Sequence, residues 1–209
     1  MSLKIYISNN LIYKNLKLLK EFRLWAKRKF YAPSPSLIKR SCLFRNGYPN
    51  SIWIETGTYL GETTKFLSRH ASIVYSIEPE PKLFSNAKKY LAKYENVKLL
   101  NGTSEKIFQE LLPKITGNVN FWLDGHYSAG STYKGLQDTP IIEELMYISE
   151  NLQHFNKVCV LIDDVRCFNS EIKGYSMYPS LDSLVDWARA NKLVWHIEHD
   201  IFVAKTKLT

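Results

Sequence analysis

The stretch Ser51-Ile52-Trp53-Ile54-Glu55-Thr56-Gly57-Thr58-Tyr59-Leu60-Gly61-Glu62-Thr63-Thr64 changes character at its middle. Its opening is short, apolar and rich in β-branched and aromatic side chains, as a strand buried on both faces requires. Gly57 and Gly61 then permit a tight turn and close backbone approach, and a helical stretch begins with free N–H groups at its start. Outward from this stretch the alternation repeats. Apolar runs at 73–78, 97–100, 119–123 and 158–162 are separated by helical stretches near 62–70, 80–93, 104–114 and 140–153. A last helix near 180–191 leads into runs at 193–197 and 201–204, with the turn-like Glu198-His199-Asp200 between them. This order predicts right-handed βαβ units in a doubly wound, mostly parallel α/β sheet of seven strands, closed at one edge by an antiparallel C-terminal hairpin.

The chain has 209 residues, the size of one such domain, and its 45% hydrophobic and 23% charged residues are those of an ordinary globule. No run approaches the roughly 18–20 apolar residues that span a bilayer, and the start, Met1 to Tyr6, does not resemble a secretory signal. Cys42, Cys159 and Cys167 are odd in number and lack metal-type spacing, which argues against a disulfide scaffold or a zinc–thiolate site. The expected compartment is the cytoplasm.

Charge is unevenly distributed. The net charge is +8, yet residues 1–45 hold eleven Lys or Arg and the single acid Glu21, leaving the rest of the chain slightly acidic. Ile12, Leu16, Leu19, Phe22, Ala26 and Phe30 recur at helical spacing, with lysines on other faces. The segment 1–45 is expected to be a basic helical arm on a domain of residues 46–209. Its helix either docks on that domain or attaches to an anionic surface, such as nucleic acid, an acidic glycan or the inner membrane face. Ala32-Pro33-Ser34-Pro35-Ser36 is expected to end the helix.

In a doubly wound sheet a ligand sits beyond the carboxyl ends of the strands, where the loop after the first strand lies. The Gly57/Gly61 spacing is neither the GxGxxG of dinucleotide-binding proteins nor a P-loop. The second strand ends in Glu78, twenty-one residues after Gly57, and an acid there can accept hydrogen bonds from the two hydroxyls of a ribose. These residues resemble the class I S-adenosylmethionine-dependent methyltransferases, which are Rossmann-like. Glu55 to Gly61 resembles their first motif, Ser76-Ile77-Glu78 their second, and Asn101-Gly102-Thr103-Ser104 the turn along the adenine. The resemblance implies a cofactor site of Glu55, Gly57, Tyr59, Gly61, Thr63, Glu78, Ser104 and Asp124.

At the other half, the fourth strand runs into Asp124-Gly125-His126-Tyr127 and the fifth into Asp163-Asp164-Val165-Arg166. Adjacent parallel strands would bring three carboxylates together, an arrangement that invites a hard cation. This pattern is similar to the metal-dependent macrocin O-methyltransferase kind of sugar O-methyltransferase. The resemblance implies Mg²⁺ held by Asp124, Asp163 and Asp164, beside the methyl donor. His126 departs from the family's Asp-Gly-Asp, so the proton acceptor is either His126 or Asp124. Tyr127 and Arg166 are candidates for the substrate side.

The expected activity is methyl transfer from S-adenosylmethionine to a hydroxyl of a sugar, glycan or glycosylated small molecule. Two alternatives stay open: a nucleic-acid methyltransferase, suggested by the arm, and a non-catalytic nucleoside-binding module. Metal-dependent hydrolysis would leave Gly57, Gly61 and Glu78 unexplained.

Overall fold

A computed structural model describes residues 11–125, 139–169, 171–172, 175–176 and 178–207, with the backbone alone at 11–14. The described elements, in chain order, begin with helices α1 (Leu11–Lys27) and α2 (Ser36–Asn46). The βαβ series follows as β1 (Ile52–Thr56), α3 (Glu62–Leu67), β2 (Ile73–Glu78), α4 (Pro81–Leu91), β3 (Val97–Asn101), α5 (Ser104–Leu111) and β4 (Gly117–Leu123). The chain continues through α6 (Ile141–Asn151), β5 (Phe155–Ile162), α7 (Leu181–Ala190), β6 (Leu193–Glu198) and β7 (Ile201–Thr206).

Among the described residues the seven strands form one sheet in the order β3-β2-β1-β4-β5-β7-β6. The pairs from β3 to β5 are parallel, and β7 runs antiparallel to both β5 and β6. The doubly wound sheet with a closing hairpin is therefore as its sequence pattern predicts. Successive residues on each strand serve opposite faces. Trp53, Trp122, Leu161 and Val203 pack in one layer, while Ile54, Phe121, Val160 and Ala204 pack in the other. Local chemistry sets the helix ends. Pro81 occupies the first turn of α4 behind Glu80, whose side chain accepts from the Lys82 N–H. Pro113 tightens the end of α5 into a 3₁₀ turn over Leu112–Lys114.

Helix α2 was not separable from the arm by its sequence pattern. Its Cys42 and Leu43 are fully buried in the layer formed by Trp53, Trp122, Leu161 and Val203. Burial of Leu43 alone favours this docking by about 2 kcal/mol. The N-terminus of α2 is capped from α1: Glu21 accepts the Ser36 N–H at 2.9 Å and the Ser36 hydroxyl at 2.8 Å. Helix α1 is more loosely attached, with Leu16 and Leu19 more than half exposed and Trp25 edge-on to His199 at 6.1 Å. No described helix is long and apolar enough to cross a membrane. All three cysteines are buried and free.

Candidate functional site

Strands β2 and β3 lie on one side of β1, and β4 and β5 on the other, so the winding reverses between β1 and β4. A ligand crevice forms outside the carboxyl ends of the strands at such a switch point. The hydrogen-bond ladder continues one step past the strands there. Gly57 N–H donates to the Ile77 carbonyl at 3.0 Å, Asp124 N–H to Thr56 at 3.2 Å, and Asp163 N–H to Leu123 at 3.0 Å. Gly57, Asp124 and Asp163 are thereby aligned in successive strand-end positions. Gly57 has φ +86°, and a Cβ there would lie 2.7 Å from the Asp124 carbonyl oxygen. Both facts require glycine, and the second shows that the β1 and β4 loops touch.

On the β1/β2 side the acids are held by neutral dipoles. Glu55 sits opposite Ser76 in the parallel register and accepts from the Ser76 and Thr64 hydroxyls at 2.6 Å each. Burial pushes its pKa up to about 7, against the pull of those two hydroxyls. Its other oxygen, Oε1, is buried without a hydrogen-bond partner, as is Nε of Arg40 on α2. Arg40 is near enough to act electrostatically on Glu55. Glu78 accepts the Tyr59 N–H at 2.7 Å and the Glu80 N–H at 3.0 Å. Burial raises its pKa, and those two N–H groups oppose the shift. Two bonds leave a carboxylate about half its acceptor capacity. The Tyr59 side chain is half exposed on this loop, Gly61 (φ +75°) precedes α3, and Thr63 lies in the first turn of α3, partly buried. Ser104 opens α5 and is buried, where its hydroxyl favours the charged form of Glu144.

On the β4/β5 side the acids are paired with cations. Lys39 Nζ, from α2, donates to Asp163 Oδ2 at 2.5 Å and to Asp164 Oδ1 at 2.9 Å. Arg166 donates to the same Asp164 oxygen at 2.7 Å and also bonds Asp200. Burial opposes the Lys39 charge, but Asp163, Asp164 and Asp124 outweigh it and hold its pKa above the ordinary lysine value. Burial lifts the Asp163 carboxyl above its ordinary pKa, with Lys39 pulling it down and Asp164 pushing it up. Asp164 has φ +56°, a strained conformation for a non-glycine residue, fixed here by the salt bridges and the 3₁₀ turn that it opens.

This geometry lends no support to the expected Mg²⁺. Two of the three expected donors, Asp163 and Asp164, are engaged by an ammonium and a guanidinium, and among the described residues no group of three or more His, Cys, Asp or Glu side chains is placed to hold a metal. The two pairs of Lys39 span over 120 residues, so no spacing rule reveals them. His126 and Tyr127 lie outside the described residues.

On the β4/β5 side lies a small cleft lined by Leu123, Gly125, Thr139, Pro140, Ile141, Glu144, Ile162, Asp163, Phe168 and Tyr178. Its buried acid Glu144 escaped the sequence reading, because it falls within an ordinary helical stretch. Burial raises the Glu144 pKa to about 7, with the Ser104 and Thr56 hydroxyls acting the other way, and Oε1 has no hydrogen-bond partner.

No family model matches the chain, and no curated protein matches it in sequence. Solved structures are similar in fold. A methyltransferase from Geobacter sulfurreducens is 10% identical with a TM-score of 0.53, covering 90% of this chain and 87% of its own. The 23S rRNA methyltransferase ErmE is 12% identical with a TM-score of 0.51, covering 84% and 68% respectively. A Streptococcus mutans protein assigned as a methyltransferase, in complex with SAH, is 17% identical with a TM-score of 0.50, covering 84% and 98%. The chain thus has a Rossmann-like methyltransferase fold.

Proposed function

We propose that the chain is an S-adenosylmethionine-dependent methyltransferase acting on a hydroxyl. The observation that carries this reading is the strand-end arrangement at the switch point, with Gly57 against Asp124 on one side and Glu78 closing the loop on the other. The residues fit the cofactor. Glu78 keeps acceptor capacity for ribose hydroxyls, and the orphaned Arg40 Nε suits a carboxylate such as that of the methionine moiety. Glu55 is a positioning residue in this scheme: it ties Thr64 at the start of α3 to Ser76 on β2 and so fixes the Gly57–Gly61 loop. When bound, S-adenosylmethionine supplies a methyl group on a sulfonium, an electrophile that needs an aligned, deprotonated oxygen. Asp124, one step past β4 and beside that loop, is the proton acceptor we assign, with His126 as its rival.

The acceptor we favour is a sugar or similar polyhydroxyl compound. The cleft places the rings of Phe168 and Tyr178 near the carboxyl group of Glu144, whose unpartnered Oε1 can accept a hydrogen bond from a hydroxyl. A nucleic-acid acceptor has one observation in its favour, the concentration of positive charge in residues 1–45. We assign the arm of residues 1–31 to attachment at an anionic surface and residues 36–209 to the catalytic unit. Incubation with isotopically labelled S-adenosylmethionine and panels of glycans, glycosylated metabolites and RNAs tests the reading. A mass gain of one methyl group on a glycan supports it, methylation confined to RNA transfers the acceptor assignment, and no labelling of any acceptor together with no cofactor binding overturns it.

A further inference from the structure

The paired aspartates after β5 resemble half of a divalent-metal site, yet their chemistry is already complete. Lys39 bridges Asp163 and Asp164 from α2, and Arg166 takes a second bond on Asp164. Two fixed cations therefore face three fixed carboxylates, since Arg166 also bonds Asp200, and Asp124 adds its field to that of the pair on Lys39. The ammonium side chain is only 19% exposed and that of Asp163 3%, so the contact is largely withdrawn from water. Mg²⁺ requires about six oxygens near 2.1 Å in octahedral array and sheds its water reluctantly. To bind here it would have to eject a tethered lysine, which competes at the high effective concentration of an intramolecular group.

We propose that Lys39 is a built-in replacement for a divalent cation at the β5 strand end, so that α2 is part of the functional site and the wild-type protein binds no metal ion there. Lys39 is a positioning residue: it holds Asp163, which lines the cleft, as an oriented carboxylate. Resting on the methyltransferase reading, the inference further requires that methyl transfer proceed without a divalent ion.

The experiment removes the lysine and looks for the metal. Full-length wild type, Lys39→Ala, Lys39→Gln and Lys39→Arg are titrated with Mn²⁺, with free ion followed by electron paramagnetic resonance. Wild type and Lys39→Arg should leave the free signal unchanged up to about a millimolar, the weak end of protein divalent sites. Lys39→Ala and Lys39→Gln should bind Mn²⁺ at least about tenfold more tightly, and Asp163→Asn in the Lys39→Ala background should abolish the gain. A lysine with a purely structural role would give no new metal site. Wild-type binding as tight as that of Lys39→Ala overturns the proposal, as does the absence of any gain in folded Lys39→Ala and Lys39→Gln. If both variants fail to fold, wild type decides: its Mn²⁺ binding, abolished by Asp163→Asn, contradicts the inference, and its indifference to the ion supports it. None of these readouts uses cofactor or acceptor, so they stand even if the methyltransferase reading fails.

Discussion

The two halves of the strand-end crevice handle buried acids in opposite ways. After β1 and β2, Glu55 and Glu78 are held by hydroxyls and backbone N–H groups within about twenty residues of sequence. After β5, Asp163 and Asp164 are held by full charges, one of which arrives from α2 more than a hundred residues earlier. Neutral dipoles leave a carboxylate with spare lone pairs and a raised pKa, which suits a ligand-binding edge. Ion pairs fix geometry and consume the acceptor sites, which suits a rigid wall. The first kind of site is local and readable, and the second depends on tertiary packing.

The contrast is most open to attack at Lys39. Lys39→Ala strands two largely buried carboxylates and should cost about 3 kcal/mol, the lower end for a buried pair because the lysine is partly exposed. A thermal melt at pH 8 reads the loss, and an unchanged melting temperature would make the ion pairs ornamental. Next comes Gly57→Ala, which forces a side chain into a left-handed conformation against the Asp124 carbonyl. We expect about 2–3 kcal/mol, seen as a lower melting temperature together with weaker cofactor binding. A neutral result would separate the β1 and β4 loops that the crevice requires to touch.

Glu144 sharpens the comparison because the hydroxyls of Ser104 and Thr56 favour its charged form, while burial and the acids Glu105 and Glu143 oppose it. Its folded pKa of about 7 lies above the unfolded carboxylate value, so the native protein holds the extra proton between the two. Stability from this group is complete below the unfolded value and is lost as pH rises through about 7. Glu144→Gln should therefore be more stable than wild type at pH 8, by about 2 kcal/mol, with the gap closing towards pH 4. A pH-independent difference in denaturant midpoints would contradict the assignment. The smallest effect belongs to the arm. Deleting residues 1–31 removes the Glu21 cap on α2 but little apolar burial, so about 1 kcal/mol is expected. Retention on anionic vesicles or polyanionic resin at low salt should fall at the same time.

These differences also explain what was legible beforehand. The strands were visible because each is a short apolar run buried on both faces, and the hairpin because its turn residues are local. Gly57, Gly61 and Glu78 stood out because their positions follow from strand ends that the runs define. Helix α2 stayed hidden because Lys39, Arg40 and Arg45 break its apolar pattern, and the first two act inside the fold on Asp163 and Glu55. Asp124 and Asp163 do follow neighbouring strands, but the lysine that meets Asp163 and Asp164 comes from outside that pattern. Sequence spacing shows which strand an acid follows and says nothing of a lysine brought in by a helix packed across the sheet. Glu144 was missed for a related reason, since helical periodicity does not show that one turn of α6 abuts the crevice.

The central claim is that the β1/β2 edge holds S-adenosylmethionine, and calorimetric titration with S-adenosylhomocysteine tests it most directly. Wild type should bind one equivalent, and Glu78→Ala, with its fold verified by a thermal melt, should bind roughly tenfold to a hundredfold more weakly, about 1.5–3 kcal/mol for a lost charge-assisted bond. Absence of binding by the wild type, or equal affinity in both proteins, would contradict the account.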